Sequence, residues 1–438
     1  MVDNSELTLA DSTTQLPNIS SKKLAKLRKQ HLEARARVND TATEGPGAFR
    51  RAEKYYKTRL WDPDYKQALG GNTLPESSVR TGVANGVHYN QLIIPEPPSP
   101  RCEACGGPTA PLRLLTFPDR FPGLIYLPSY LCEHQQRALI ADSLETSLRP
   151  PNVTNIDTHW TMPEGFSCGL FDLYRTWRSQ VIAGSDQKRD ARFWLQPRAS
   201  LLPPPSARPP QQPLSTKRVT VDLEPITAEN YLTARNELPK QDPIPSETVK
   251  PIHVSDVWMK GKLRWCTIGW QYHWTTKTYH FEREPTPISE LVSSTCIRLV
   301  NQVVPWELIC PTTPDNRPGW RNGYRPEAGV INFYQYKDSL TAHIDHSEVS
   351  LDSPLVSLSI GNSCVFLIGP SREDHPLALR LESGDALIMA GESRRFFHGV
   401  PRIIENSLPS WLAQEKRELW AEWFKNGGRI NLNVRQVF

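Results

Sequence analysis

Eight short segments rich in β-branched and aromatic residues crowd the C-terminal part of the chain: 328–336, 340–345, 354–361, 363–369, 377–385, 386–391, 394–401 and 429–437. Gly, Asp, Ser and Pro cluster at most of their junctions, the punctuation of turns between strands. So many strands with such short connections predict an antiparallel barrel or jelly roll. No strand–helix alternation accompanies them, which argues against a doubly wound parallel sheet. Upstream, 121–131 (FPGLIYLPSYL) and 263–274 (LRWCTIGWQYHW) also read as strand-forming. Leu139, Ile140, Leu144 and Leu148 recur at helical spacing within 132–148, and 288–303 reads as a second helix.

The rest of the chain has a different texture. Prolines number 40 in 438 residues, against a usual share near ~5%. Twelve of them fall within 196–251, a composition suited to extended backbone and not to a packed core. Residues 1–44 are polar and carry one basic run, Lys22–Arg37, with seven Lys or Arg and a single acid. That run suits a localisation patch, a phosphate-seeking arm or a solvated tail. A short helix is expected within 45–61. A net charge of +4 permits nucleic-acid binding without demanding it. No apolar run approaches a membrane span, and the N-terminus has no apolar signal core. Eight cysteines without such a signal suggest reduced thiols. Cys102 and Cys105 have metal-ligand spacing, with Cys132 and His134 the next candidates, but one CxxC alone is a weak zinc signature.

Chemistry concentrates on three residues. His343 and Asp345 are two apart on an expected strand, where side chains share a face. His398 follows on another. Two His and one carboxylate on one face form the facial triad of non-haem Fe(II) oxygenases; a local hydrogen-bonded pair with a turn histidine would use the same residues. At the C-terminus, alternation places Arg429, Asn431, Asn433 and Arg435 on one face and Ile430, Leu432 and Val434 on the other. Arginines turned into a barrel require anions, and a guanidinium grips a carboxylate bidentately, as a 2-oxo diacid cosubstrate would need. An edge strand with exposed arginines is the alternative. Asn332 and Tyr334 share a face and offer neutral hydrogen bonds to the same ligand.

In order and spacing, NFY (332–334), HIDHSE (343–348), PLVSLSIG (354–361), FLIG (366–369), SGD (383–385), GESRRFFHGVPR (391–402) and RINLNVRQV (429–437) resemble the AlkB family of Fe(II)- and 2-oxoglutarate-dependent dioxygenases. The branch of the first mammalian AlkB homologue is the most similar, through 263–274, PLVSLSIG and the terminal NVRQV. The resemblance covers roughly 121–148 and 263–438. It implies a mainly β, double-stranded β-helix (jelly-roll) fold with flanking helices, a disordered N-terminal region and a proline-rich insert. His343, Asp345 and His398 match the iron ligands. Asn332, Tyr334, Arg429, Asn431 and Arg435 match residues around 2-oxoglutarate, Arg429 taking its distal carboxylate. On the substrate side, Trp274 resembles a base-stacking aromatic of the nucleotide lid, with Tyr272 beside it and Arg372 near the position of a basic substrate contact. Ser347 stands where the bacterial repair enzyme has an acid, so substrate preference should differ.

The implied reaction is oxidative demethylation of N-methylated bases in DNA or RNA, tRNA included, releasing formaldehyde, succinate and CO2. Fe(II), 2-oxoglutarate and O2 would be needed, with ascorbate as a supporting reductant. Methylated nucleic acid is the expected partner of a monomer acting in nucleus or cytoplasm, the mitochondrion remaining open. Because the base must leave its stack to reach a buried metal, flipped or single-stranded nucleotides suit the site. Alternatives are a protein hydroxylase or demethylase on the same scaffold, a non-catalytic nucleic-acid binder, and strand scission through a lysine Schiff base, for which no lysine stands out. The expected division is a basic tail (1–44), a poorly ordered or short-helical lead-in (45–120), the first part of the catalytic unit (121–195), a proline-rich linker (196–255), a lid and helix (256–324) and the dioxygenase core (325–438).

Overall fold

The computed structural model describes residues 47–58, 65, 68–71, 81–84, 86–94, 111–166, 168–184, 189–201, 245–273, 278–279, 281, 283–309, 320 and 323–438, with Lys26 and Lys29. The expectations for Trp274, for Cys102 and Cys105, and for most of the basic run and the proline-rich insert lie outside the described residues. Lys26 and Lys29 are helical and exposed.

In chain order the strands begin with β1 (Leu69–Gly70), β2 (Thr81–Ala84), β3 (Val87–Ile94), β4 (Leu112–Phe117) and β5 (Phe121–Leu127). Next come β6 (Val153–Thr154), β7 (Trp160–Thr161), β8 (Trp194–Pro197), β9 (Ile252–His253), β10 (Trp265–Gly269), β11 (Tyr272–His273) and β12 (Thr278–Tyr279). All eight expected C-terminal strands form: β13 (Ala328–Tyr334), β14 (Leu340–His343), β15 (Leu355–Gly361), β16 (Cys364–Gly369), β17 (Leu377–Leu381), β18 (Ala386–Met389), β19 (Phe397–Ile403) and β20 (Arg429–Arg435). Ten strands build a large sheet in the order β2-β3-β4-β5-β18-β15-β20-β13-β10-β6, and five build a smaller one, β1-β17-β16-β19-β14. Among the described residues every strand pair is antiparallel except β1 on β17, in line with the exclusion of a parallel architecture.

Alternation along β20 sets what each face of the large sheet meets. Ile430, Leu432 and Val434 are fully buried beside Ile331, Phe333, Val356 and Leu358, in a core shared with Leu139, Ile140 and Leu144 and with Val292 and Leu299. The two helical segments behind that core are Glu133–Ala141, running on to Thr146, and Glu290–Arg298, running on to Val303. The first opens at Cys132, whose N–H is accepted by Gln135 Oε1 at 3.1 Å; the second is capped by Ser289 Oγ, 3.2 Å from Val292 N. The opposite face turns toward the small sheet. Leu355, Leu387, Met389 and Tyr126 of the large sheet there share one cluster with Phe366, Ile368 and Leu379 of the small one.

Two expectations change. Helices Leu170–Ile182 and Val254–Met259 add to those above, so the fold has mixed α and β content where the sequence suggested mainly β. The lead-in 45–120 supplies more than a short helix: besides Ala48–Lys57, its strands β2, β3 and β4 extend the large sheet through β5. Gly123, at φ +83, makes that extension possible, because a Cβ there would lie 2.0 Å from the Ala390 carbonyl oxygen.

Candidate metal centre and its pocket

Antiparallel register makes His343 of β14 and His398 of β19 direct cross-strand neighbours, and their ring centroids are 4.4 Å apart. β14 ends at His343, so Asp345 does not share a strand face with it as the HxD spacing suggested. Asp345 lies in the irregular segment that follows instead, its backbone carbonyl accepting from Arg394 Nη1 at 2.7 Å. The carboxylate nonetheless meets both imidazoles. Oδ1 is 3.6 Å from His343 Nε2 and Oδ2 is 3.8 Å from His398 Nε2. All three ligand atoms fall within 4.8 Å of one another, the one such cluster of His, Cys, Asp or Glu among the described residues.

Each ring is held by its other nitrogen. His343 Nδ1 donates to Thr341 O at 3.0 Å and His398 Nδ1 to Phe396 O at 3.2 Å, which leaves both Nε2 lone pairs facing the carboxylate, as metal-ligating histidines require. His398 Nε2 is buried with no hydrogen-bond partner. Burial and the neighbouring His343 push the His398 pKa down to about 4, against the pull of Asp345, so this imidazole is neutral at ordinary pH. Burial would raise the Asp345 carboxyl, but Arg435, then His398, His343 and Arg394, outweigh it and hold the group well below the usual carboxylate range. A neutral, orphaned nitrogen beside an obligate carboxylate fits a divalent cation.

His398 also lines a pocket between the sheets, with Tyr334, Ser357, Phe366, Asn431 and Arg429. Arg429 is 1% exposed. Its Nη1 donates to Asn362 O (2.9 Å) and its Nη2 to Ser359 Oγ (2.8 Å), yet it forms no ion pair among the described residues and its Nε has no acceptor. A buried guanidinium without a counterion, opening on the pocket that holds a metal ligand, fits an incoming carboxylate. Burial drives the Tyr334 phenol far above its ordinary pKa, so it remains a neutral donor. Asn332 is the cross-strand neighbour of Asn431, its Nδ2 donating to Asn431 Oδ1 at 3.4 Å.

Not every expected residue joins that pocket. Arg435 is engaged elsewhere, 2.9 Å from Glu348 Oε1 and 3.1 Å from Asp345 Oδ2. Arg372 lies at the outer edge of β14, donating from Nη2 to Ala342 O at 3.1 Å with its guanidinium 4.8 Å from the Phe397 ring centre. Tyr272 pairs across the β11–β12 hairpin with Tyr279, and its hydroxyl is 3.3 Å from Ser347 Oγ. Trp270 is half-buried and packs against Phe281 and Phe438. Glu348 and Arg394 were not singled out in the sequence, although both are buried and paired at 2.8 Å; two adjacent arginines (394–395) just ahead of a ligand histidine were the available signal.

Known proteins agree with this geometry. Residues 224–435 match the 2OG-Fe(II) oxygenase superfamily. An Arabidopsis thaliana protein, "DNA N(6)-methyladenine demethylase ALKBH1A", is 36% identical over 427 residues, 92% of this chain and 99% of that one. The chain belongs to the AlkB family. This AlkB protein is also 40% identical to the Schizosaccharomyces pombe "tRNA demethylase abh1", over 43% of its own length and 57% of the relative's. Against the human "Nucleic acid dioxygenase ALKBH1" it is 32% identical, over 40% and 46% respectively. The family and the triad together make it a Fe(II)- and 2-oxoglutarate-dependent dioxygenase with an AlkB-like fold. No described helix of this AlkB protein is long and apolar enough to cross a membrane.

Proposed function

We propose that the chain oxidatively demethylates N-methylated bases of DNA or RNA, tRNA included, on a double-stranded β-helix formed by β13, β15, β18 and β20 against β14, β16, β17 and β19. The observation that carries the substrate class is the contact between Tyr272 and Ser347. It sets the β11–β12 pair beside a residue two positions past the metal carboxylate, where an aromatic side chain would meet a planar base. The names of the relatives above point the same way. Trp274, one residue beyond β11 in the sequence, is the proposed stacking ring.

His343, Asp345 and His398 would hold Fe(II). Arg429, with Tyr334 beside it, would hold the distal carboxylate of 2-oxoglutarate, and Asn431, braced by Asn332, would face its middle. Bound there, iron with 2-oxoglutarate and O2 supplies the oxidation that hydroxylates an N-methyl carbon, the cosubstrate leaving as succinate and CO2 and the hydroxymethyl amine losing formaldehyde. The chain's own part is to orient and enclose. The pocket lies between the two sheets and is lined mostly by buried side chains, and Arg435 keeps Asp345 ionised at the metal side.

The test is a mass-spectrometric survey of formaldehyde release from single-stranded oligonucleotides carrying different methylated bases, with methylated peptides alongside, in Fe(II) and 2-oxoglutarate. Release from at least one oligonucleotide is expected. Release from peptides alone would make the protein-demethylase reading correct.

A further inference from the structure

The strand that carries His343 is held from outside the family match. β14 is four residues long, lies at the free edge of the small sheet, and pairs with β19 only at Leu340–Val400 and His343–His398, with an irregularity between. Ala342, immediately before the ligand, therefore turns its N–H and C=O away from the sheet, where nothing in the ladder can meet them. Two side chains do. Glu53 Oε1 accepts from Ala342 N at 2.8 Å, and Arg372 Nη2 donates to Ala342 O.

Glu53 sits on helix Ala48–Lys57, whose buried face (Phe49, Ala52, Tyr55 and Tyr56) packs with Ala342, Val365 and Leu367. The helix precedes the matched residues 224–435 by more than the whole lead-in. Its Glu53 is 3% exposed and shares its second oxygen with Arg50 Nη1 at 2.8 Å. The same helix reaches the other clamp, because Phe49 N donates to Arg372 O at 3.1 Å. Of the two histidines, His343 has the greater freedom: its side chain is 34% exposed, against 4% for His398.

We propose that Glu53 is a positioning residue for the metal ligand His343. By fixing the peptide before His343 it sets where that imidazole stands relative to Asp345 and His398, so the N-terminal helix is part of the metal site's support. This rests on the triad being the metal site. Groups that orient ligands from behind are commonly worth ten- to a hundredfold in metal affinity.

Anaerobic titration of the full chain with Mn(II), read by electron paramagnetic resonance, tests it without turnover. Glu53→Ala should weaken Mn(II) about tenfold or more, while Glu53→Gln, whose amide oxygen still accepts from Ala342 N, should stay within a few-fold of the parent. Glu53→Asp keeps the charge for Arg50 but shortens the reach, and should fall between. A purely structural Glu53 would lower the melting temperature yet leave the Mn(II) affinity of folded protein unchanged; that result in Glu53→Ala, or in Glu53→Asp should the alanine variant not fold, overturns the proposal. His343→Ala separates the two levels. If the parent binds Mn(II) no better than His343→Ala, the triad reading itself fails, whatever Glu53 does.

Discussion

Arg435 Nη1 lies 3.1 Å from Asp345 Oδ2, so the guanidinium at the end of β20 is an ion-pair partner of the metal-side carboxylate. Six residues earlier on the same strand face, Arg429 opens on the pocket with no acid beside it among the described residues. At about 3.3 Å per residue the two backbones are roughly 20 Å apart, so Arg435 stands beside the metal-side carboxylate while Arg429 lines the pocket. Around Asp345 the charges balance. Arg435 and Arg394 face Asp345 and Glu348, and Tyr279 donates to Glu348 Oε1 at 2.8 Å. Glu348 thus ties the β11–β12 hairpin to the metal centre.

Glu348→Gln should break that balance. Breaking a buried pair from one side leaves an uncompensated charge and costs about 3–5 kcal/mol. A urea titration should show the midpoint fall by an amount of that order. A midpoint equal to the parent's would mean that water, not Glu348, satisfies Arg394 and Arg435.

The two ligand histidines should part company in stability while agreeing in activity. His343→Ala and His398→Ala should each abolish succinate production. His343 is a third exposed, so its loss should cost within about 0.5 kcal/mol in the apo protein. His398 is buried against Phe366, ring centroids 5.9 Å apart, and its removal should cost measurably more. Normal succinate output from either variant would remove that histidine from the iron site.

Arg429→Lys keeps the charge but loses the fork. The apparent KM for 2-oxoglutarate should rise, and the KM for oligonucleotide should not. Thermal shift offers a second reading: at a hundredfold excess over Kd a cosubstrate stabilises by about 2.7 kcal/mol, and Arg429→Met should lose that response. An undiminished response would place the carboxylate elsewhere in the pocket.

The C-terminal strands were legible because short apolar runs alternate there with turn residues, and Ile430, Leu432 and Val434 divide from Arg429, Asn431 and Asn433 as their spacing requires. The triad was legible as residue types, but not the means of assembly. Asp345 lies past the strand end, and what holds it comes from Arg394 and Arg435, 49 and 90 residues further on. Such non-local pairing has no periodicity to betray it. The β2–β3 hairpin left a local signal, Asn85–Gly86, the dipeptide that favours tight hairpin turns, but the polar and proline-rich flanks on both sides masked the strands. Glu53 offered no signal at all, since a single acid on an amphipathic helix reads as a solvated face.

Gly399 follows His398 and lets β14 come close. A Cβ there would stand 2.9 Å from Leu340 O and 3.0 Å from Ala342 N, and neither backbone atom can yield without moving the strand that carries His343. Gly399→Ala should therefore weaken divalent-metal binding more than it lowers stability, with Mn(II) titration and urea unfolding run on the same preparation. Equal Mn(II) affinity would mean that β14 shifts without carrying the imidazole along.

The proposed substrate reading rests on the β11–β12 pair and the residue that follows it in the sequence. If Trp274 stacks on the target base, Trp274→Ala should reduce productive oligonucleotide use by ~1–3 kcal/mol, roughly five- to more than a hundredfold in kcat/KM. Uncoupled 2-oxoglutarate turnover without nucleic acid should hardly change, because the residues lining the cosubstrate pocket belong to the two sheets. Tyr272→Phe is the companion: it keeps a ring for stacking but removes the hydroxyl that meets Ser347. A loss confined to Trp274→Ala marks the indole as the stacking surface, whereas a loss confined to Tyr272→Phe shows that anchoring the hairpin near Asp345 is what matters. Loss of uncoupled turnover in Trp274→Ala would make the ring part of the core. No effect in either variant would leave the hairpin without a role in base recognition, and would favour a protein substrate.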